Sequence, residues 1–256
     1  MAKMATREAY GKALAKLVQE RNDIFVLDAD LSKSTKSADA QAVMPSRHFN
    51  IGIAEANMMG VAAGIATGGN TVFASSFAMF AVGRAFEQVR NSIAYPKLNV
   101  KICATHAGVT LGEDGASHQS VEDIALMRSV PNMSVIVPAD DIETMQVVKT
   151  VSELKGPYYV RLGRAAVETV HDENYQFKLG KGHVLSQGKD IAIIACGIMV
   201  EQALLAKEAL KAHNLDVTFV NMATIKPLDK DLVIELAKSH KGIVTCEEHT
   251  ILSCLS

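Results

Sequence analysis

Apolar positions along this chain switch repeatedly between a helical period and short continuous runs, and that switching is its first structural signal. Residues 6–20 place Ala9, Tyr10, Ala13, Leu14, Leu17 and Val18 on one helical stripe, with Arg7, Lys12, Lys16 and Glu20 away from it. Asn22-Asp23 breaks that helix, and Ile24-Phe25-Val26-Leu27 reads as a short buried strand running into Asp28-Ala29-Asp30 and a polar stretch from Ser32 to Ser37. The helical pattern returns at residues 55–67, where Ala56, Gly60 and Gly64 recur every fourth residue. Such a small-residue stripe predicts close approach of another helix or of a ligand, at the cost of glycine's backbone entropy. Further strands are predicted at 71–74, 100–104, 135–137 and 158–162, and a helix through 84–90. Ser120-Val121-Glu122-Asp123 has capping-box spacing and predicts a helix through Met127; Asp140-Asp141-Ile142-Glu143 predicts another through about Val151.

Strands and helices alternating at this rhythm imply an α/β fold: a mostly parallel sheet with helices on both faces, over residues 1–165. Residues 166–188 lose the rhythm and read as a linker with one edge strand. A second, smaller α/β unit follows over 189–256, with strands at 191–195, 217–220 and 243–246 and helices at about 200–212 and 229–237. It stops a few residues after its third strand. The expectation is a truncated unit with an uncovered edge and an apolar face, a liability for association.

Composition narrows the function classes. At 256 residues, 48% apolar and 21% charged, the chain can bury a sizeable core. A net charge of −2 with scattered basic residues gives no reason to expect a nucleic-acid partner. No apolar run is long enough to span a bilayer, and a soluble cytoplasmic protein is expected. The four cysteines, Cys103, Cys196, Cys246 and Cys254, are far apart without CxxC spacing, so buried thiols rather than zinc ligands are expected.

Candidate chemistry concentrates between Asn50 and Gln119. Glu55 opens an otherwise apolar helix, where the helix dipole alone could account for a carboxylate. Phe77 and Phe80 lie one helical turn apart, a spacing that by itself more often marks core packing than a ring platform. His106 and His118 fall on glycine-rich loops, and Gly112 to Gly115 has the composition of an ordinary tight turn. Taken singly, none of these residues decides a function.

Together and in this order they resemble the C-terminal half of transketolase, over essentially the whole chain. The most specific stretch is Leu111-Gly112-Glu113-Asp114-Gly115-Ala116-Ser117-His118-Gln119, preceded by Thr105-His106 and by the Gly52-Ile53-Ala54-Glu55 segment. The resemblance implies a thiamine-diphosphate-binding, pyrimidine-type domain followed by a C-terminal-type domain. It also implies transfer of two-carbon ketol units between sugar phosphates. Glu55 would hydrogen-bond the aminopyrimidine N1′ and favour the tautomer that takes the proton from C2. Phe77 and Phe80 would pack on the pyrimidine ring; a third aromatic usual in the family is replaced by Gly83. His118, with Asp114, would face the sugar hydroxyls near the reacting carbon. Arg7, Ser34, His106 and Arg164 match positions that bind the sugar phosphate, with Arg161 three residues before Arg164 on the same segment.

Two departures matter. The chain has no Gly-Asp-Gly followed by Asn, the family's signature for holding Mg²⁺ and the diphosphate, so no metal ligand is assigned within it. The resemblance therefore implies half of a shared site. The partner would be a separate subunit like the N-terminal half of transketolase, with self-association as a dimer giving a heterotetramer. The family's usual glycine pair, helix, strand and last helix after Glu-Glu-His-Thr are replaced by Ile251 to Ser256. A β-type subunit of a 2-oxo-acid dehydrogenase, a 1-deoxyxylulose-5-phosphate synthase-like protein, and a non-catalytic partner-binding module remain the alternatives.

Overall fold

The computed structural model describes residues 3–252 and 255 of the chain. From the N-terminus run β1 (Met4–Ala5), α1 (Thr6–Glu20), β2 (Ile24–Asp28), the short helices α2 (Ser32–Thr35) and α3 (Ala38–Val43), β3 (His48–Asn50), α4 (Glu55–Thr67) and β4 (Thr71–Phe77). Two π-helical segments, Met79–Arg84 and Gln88–Ala94, lead to β5 (Val100–Thr105), α5 (Asp123–Ser129), β6 (Ser134–Ile136), α6 (Asp141–Glu153), β7 (Tyr158–Arg161) and β8 (Ala166–Val167). Beyond them come β9 (His183–Ser186), β10 (Ile191–Ala195), α7 (Met199–Lys211), β11 (Val217–Asn221), β12 (Thr224–Lys226), α8 (Lys230–Ser239) and β13 (Ile243–Cys246).

The larger sheet has seven strands in the order β12-β6-β7-β5-β4-β2-β3, all parallel except β12. Its central strands β4 and β5 are buried along their whole length, which is why they read as continuous apolar runs. Successive strand residues point to opposite faces. Val72, Ala74 and Ile102 join Met58, Val82 and Val89 on one side, while Phe73 and Cys103 join Leu14 and Val147 on the other. Helices therefore cover both faces, as the alternation in sequence implies. The second sheet has four strands, β13-β10-β11-β9, with only β9 antiparallel.

Several local expectations are corrected. The helix expected from Ser120 begins at Asp123 instead. Ser120 is buried and bridges Gly108, so its backbone is already committed when the helix starts. The helix expected through 84–90 is π-helical on either side of Phe86, and such turns in helices are frequent at functional sites. At the Gly60 and Gly64 end of the small-residue stripe a Cβ would meet nothing within 4 Å, whereas Ala56 packs against the core. Residues 166–188 are firmly fastened. Asp140, at the N-terminus of α6, accepts hydrogen bonds from the backbone of Glu143, Val170 and His171 and from the His171 ring. β9 from this stretch is the edge strand expected there, and it pairs with β11 as the fourth strand of the smaller sheet. β12 was not expected at all. It leaves the second sheet's chain segment to pair with β6 in the first, and three residues are too few to show a period. Cys103 and Cys196 are buried thiols, pushed up to about 12 by burial, and Cys246 is half-buried. Cys254 and the expectations for residues 253, 254 and 256 lie outside the described residues. Among the described residues no helix is long and apolar enough to cross a membrane.

Candidate active site

Parallel strands deliver their C-terminal ends to one edge of the sheet, and loops there carry ligand contacts. Phe77 is the last residue of β4, His106 follows β5, Arg164 lies just past β7, and Ser34 sits in α2 beyond β2. Glu55 opens α4 after β3, Arg7 lies in the first turn of α1, and Asp114 and His118 ride the loop between β5 and α5. Topology alone thus brings sequence positions from 7 to 164 to one region.

Ring contacts then join them. The imidazole of His106 stacks on Phe77 with centroids 3.8 Å apart and planes 23° apart. Phe77 stacks in turn on Phe80 at 5.9 Å, and His118 meets both edge-on, at 6.0 and 5.0 Å. Ser117 Oγ lies 2.9 Å from His118 Nδ1. The two phenylalanines face one another from a strand end and a π-helical turn, rather than from successive turns of one helix.

On one side of this stack is a cationic cluster. Arg7 donates from Nη1 to the Ser34 carbonyl at 2.8 Å and lies 3.4 Å from His106 Nε2. A guanidinium only donates, so His106 Nε2 accepts, and the ring's proton sits on Nδ1, 2.9 Å from Thr105 Oγ1. Burial, then the charge of Arg7, pull His106 down to about 4, while Asp114 opposes them. It is therefore a neutral imidazole at neutral pH. Burial and the neighbouring Arg164 lower the Arg7 guanidinium from its ordinary value. Arg7 Nε is buried with no partner among the described residues, a donor left over for an acceptor not supplied by this chain. Arg164 packs against Gly112 so closely that a Cβ there would lie 2.4 Å from Nη1; Gly112 also has φ +89°. By contrast Arg161 is engaged with Asp123 and with the Ser120 and Glu248 carbonyls, and so only Arg164 of the two faces this cluster.

On the other side lies Glu55, buried at 4% exposure and paired with Arg84 Nη1 at 3.3 Å. Arg84 also covers the Phe80 ring, 4.2 Å from its centroid. All the sequence-selected residues are thereby linked: Glu55 through Arg84 to Phe80, Phe77, His106, Arg7 and Ser34, with His118 on the rings and Asp114 and Arg164 acting electrostatically on His106.

Sequence reasoning missed three participants. Arg84 stands four residues after Phe80, a spacing that could have signalled the pair. Thr105 fixes the His106 tautomer. Glu248 reaches from beyond β13 to the His118 loop and has no local sequence signal for doing so.

The donor set suits one half of thiamine diphosphate. A buried carboxylate beside a stacked aromatic pair matches a flat, hydrogen-bonding heterocycle. For the charged half, no group of three or more His, Cys, Asp or Glu side chains among the described residues is arranged to hold a metal ion.

Comparisons with known proteins bear on the family. The description "Transketolase, pyrimidine binding domain" matches residues 2–169, and "Transketolase, C-terminal domain" matches 180–255. A chain of Methanocaldococcus jannaschii assigned as a transketolase C-terminal section is 51% identical over 251 residues, covering 97% of this chain and 78% of that one. Human transketolase is 39% identical over 251 residues, covering 96% of this chain but 40% of the human protein. A solved structure described as a split gene transketolase, inactive beta4 tetramer, superposes with a TM-score of 0.92 at 54% identity, covering 99% of this chain and 83% of that one.

Proposed function

The chain belongs to the transketolase family, and from that premise we propose that it is the pyrimidine-side subunit of a split transketolase. It would transfer two-carbon ketol units between sugar phosphates once joined to a subunit resembling the N-terminal half. The observation that carries this reading is the unbroken set of contacts from Glu55 through the phenylalanines to the arginine–histidine cluster.

When bound, thiamine diphosphate would supply the nucleophilic carbon and the electron sink for cleaving and forming the C–C bond. Glu55 would exchange its Arg84 contact for the pyrimidine N1′ and hold the proton shared there. Phe77 and Phe80 would fix the ring plane and exclude water from it. His118, steadied by Ser117 and the two ring edges, would move protons at the sugar hydroxyls beside Asp114. Arg7 and Arg164 would bind the phosphate with the Ser34 segment, Arg7 Nε being the donor in need of an oxygen. His106, neutral and tied to Thr105, would orient Arg7 rather than add charge.

Mg²⁺ and the diphosphate would be held by the partner subunit. The open stripe at Gly60 and Gly64, with Ile53 75% exposed just before α4 and Tyr95 80% exposed at the end of the π-helical segment that packs on α4, supports burial of this face against another chain. A similar protein described as an inactive beta4 tetramer fits a subunit that self-associates yet lacks part of the site. A heterotetramer of paired dimers, working in the cytoplasm, goes with this reading. The test is Glu55→Ala in the assembled enzyme: exchange of the bound cofactor's C2 proton should fall by about 10²-fold or more while assembly persists. Exchange at the wild-type rate would remove Glu55 from its role.

A further inference from the structure

The loop carrying Asp114 and His118 closes on itself. Gly108 and Ser120 pair at its neck, donating backbone N–H groups to each other's carbonyls at 2.8 and 3.3 Å, and Gln119 Nε2 donates across it to the Val109 carbonyl. Just inside the neck, the Val109 and Thr110 amides both donate to one oxygen of Glu248, Oε1, at 2.8 and 2.7 Å. Glu248 lies 139 and 138 residues further along the chain, just beyond the last strand of the smaller sheet. Its side chain is 7% exposed. Gly108 has φ +82°, and a Cβ there would lie 2.1 Å from the Glu248 carboxylate, so the loop's backbone and this side chain are fitted to each other. Arg161 completes the seat. It donates to the Ser120 and Glu248 carbonyls at 3.3 and 2.9 Å, and its Nη1 lies 3.9 Å from Glu248 Oε2. A second tie, from the Thr250 amide to the Val121 carbonyl at 2.8 Å, comes from the same segment.

We propose that Glu248 is a positioning residue, through which the C-terminal unit holds the Asp114–His118 loop in its working conformation. The role rests on the functional reading above, but the contact does not. Two amides on one carboxylate oxygen form charge-assisted bonds, stronger than neutral ones. Without them the loop keeps its neck but loses its anchor on the side that leads to Asp114. Glu55, Phe77 and Phe80 make none of these contacts. The sugar side of the site therefore depends on Glu248 directly, while the cofactor side meets the loop only through the His118 ring edge on Phe77 and Phe80 and keeps Glu55 apart from it.

The experiment compares Glu248→Ala and Glu248→Gln in the full chain. Glutamine retains an oxygen at the Oε1 position and should keep both bonds; alanine removes them. In the chain alone, hydrogen exchange of a peptide covering Val109 and Thr110 should accelerate about tenfold or more in Glu248→Ala, and by less than about threefold in Glu248→Gln. In the enzyme assembled with its partner, Glu248→Ala should lower kcat/KM by about tenfold or more with C2 proton exchange of bound cofactor unchanged, and Glu248→Gln should restore most of it. Wild-type exchange at Val109 and Thr110 in Glu248→Ala overturns the proposal, as does a fall in C2 exchange matching the fall in kcat/KM. If Glu248→Ala does not fold, Glu248→Asp, one methylene too short to reach both amides, is read on the same two measurements. A wild-type mixture without transfer removes the proposed function and leaves the amide exchange to decide the contact.

Discussion

His106 is a buried imidazole held neutral, and this makes the stability of the chain pH-dependent in a calculable way. Its folded-state value of about 4 lies below the ordinary 6.5, because burial and Arg7 both disfavour the charged ring. The unfolded chain therefore binds a proton at this residue between those two values while the folded chain does not. Stability from this residue is fully present above about pH 6.5 and is lost as pH falls toward the folded value. The gap, at about 1.4 kcal/mol per pKa unit, makes on the order of 3 kcal/mol, of which about 2 kcal/mol should be gone by pH 5. His48 and His183 are also shifted down by burial, so the effect is read as a difference. Urea unfolding of the wild type and of His106→Asn at pH 7 and pH 5 supplies it. Asparagine does not titrate and can still donate to Thr105. The wild type should lose about 2 kcal/mol more than the variant on acidification. Parallel losses, or a His106 ring that titrates near 6.5 by NMR, would refute the reasoning.

Two further substitutions probe the frame around the loop. Asp123 accepts from Arg161 Nε at 2.8 Å and from the Tyr159 hydroxyl at 2.6 Å in a buried cluster. Burial works against the guanidinium charge, but Asp123 outweighs it and holds Arg161 above its ordinary value. Asp123→Ala should cost about 3–5 kcal/mol in urea unfolding, since it strands a buried guanidinium; a loss under about 1 kcal/mol would mean the charge finds another partner. Gly108→Ala should cost about 2 kcal/mol or more, from its positive φ and its clash with Glu248. The same change in a Glu248→Ala background should cost about 1 kcal/mol less, and strict additivity of the two would deny that the residues touch.

Much of the architecture was legible because strand and helix leave different periods. β4 and β5 are buried on both faces and read as continuous apolar runs, and α1 shows its stripe. What escaped was short, or set by distant parts of the chain. β12 has three residues and pairs with a strand far earlier in sequence. The start of α5 moved because the Ser120 backbone bonds Gly108 across the loop, a competitor the capping pattern cannot reveal. The candidate site was visible as a list of residue types in a recognisable order, but its wiring was not. Nothing local to Glu55 announces Arg84 as its partner, and nothing near His106 says that Thr105 and Arg7 decide its tautomer. The small-residue stripe was legible, but what approaches it was not: at Gly60 and Gly64 its face is open in the described chain.

The central claim is that this chain carries one half of a divided site: the pyrimidine carboxylate, the ring pair and the phosphate cluster, without the groups for Mg²⁺ and diphosphate. It is tested most directly by assaying ketol transfer from a ketose phosphate donor to an aldose phosphate acceptor, with thiamine diphosphate and Mg²⁺. The chain is assayed alone, then mixed with a subunit resembling the N-terminal half of transketolase. Transfer is expected only in the mixture. Transfer by the isolated chain, or none when both subunits and the cofactor are present, would contradict it.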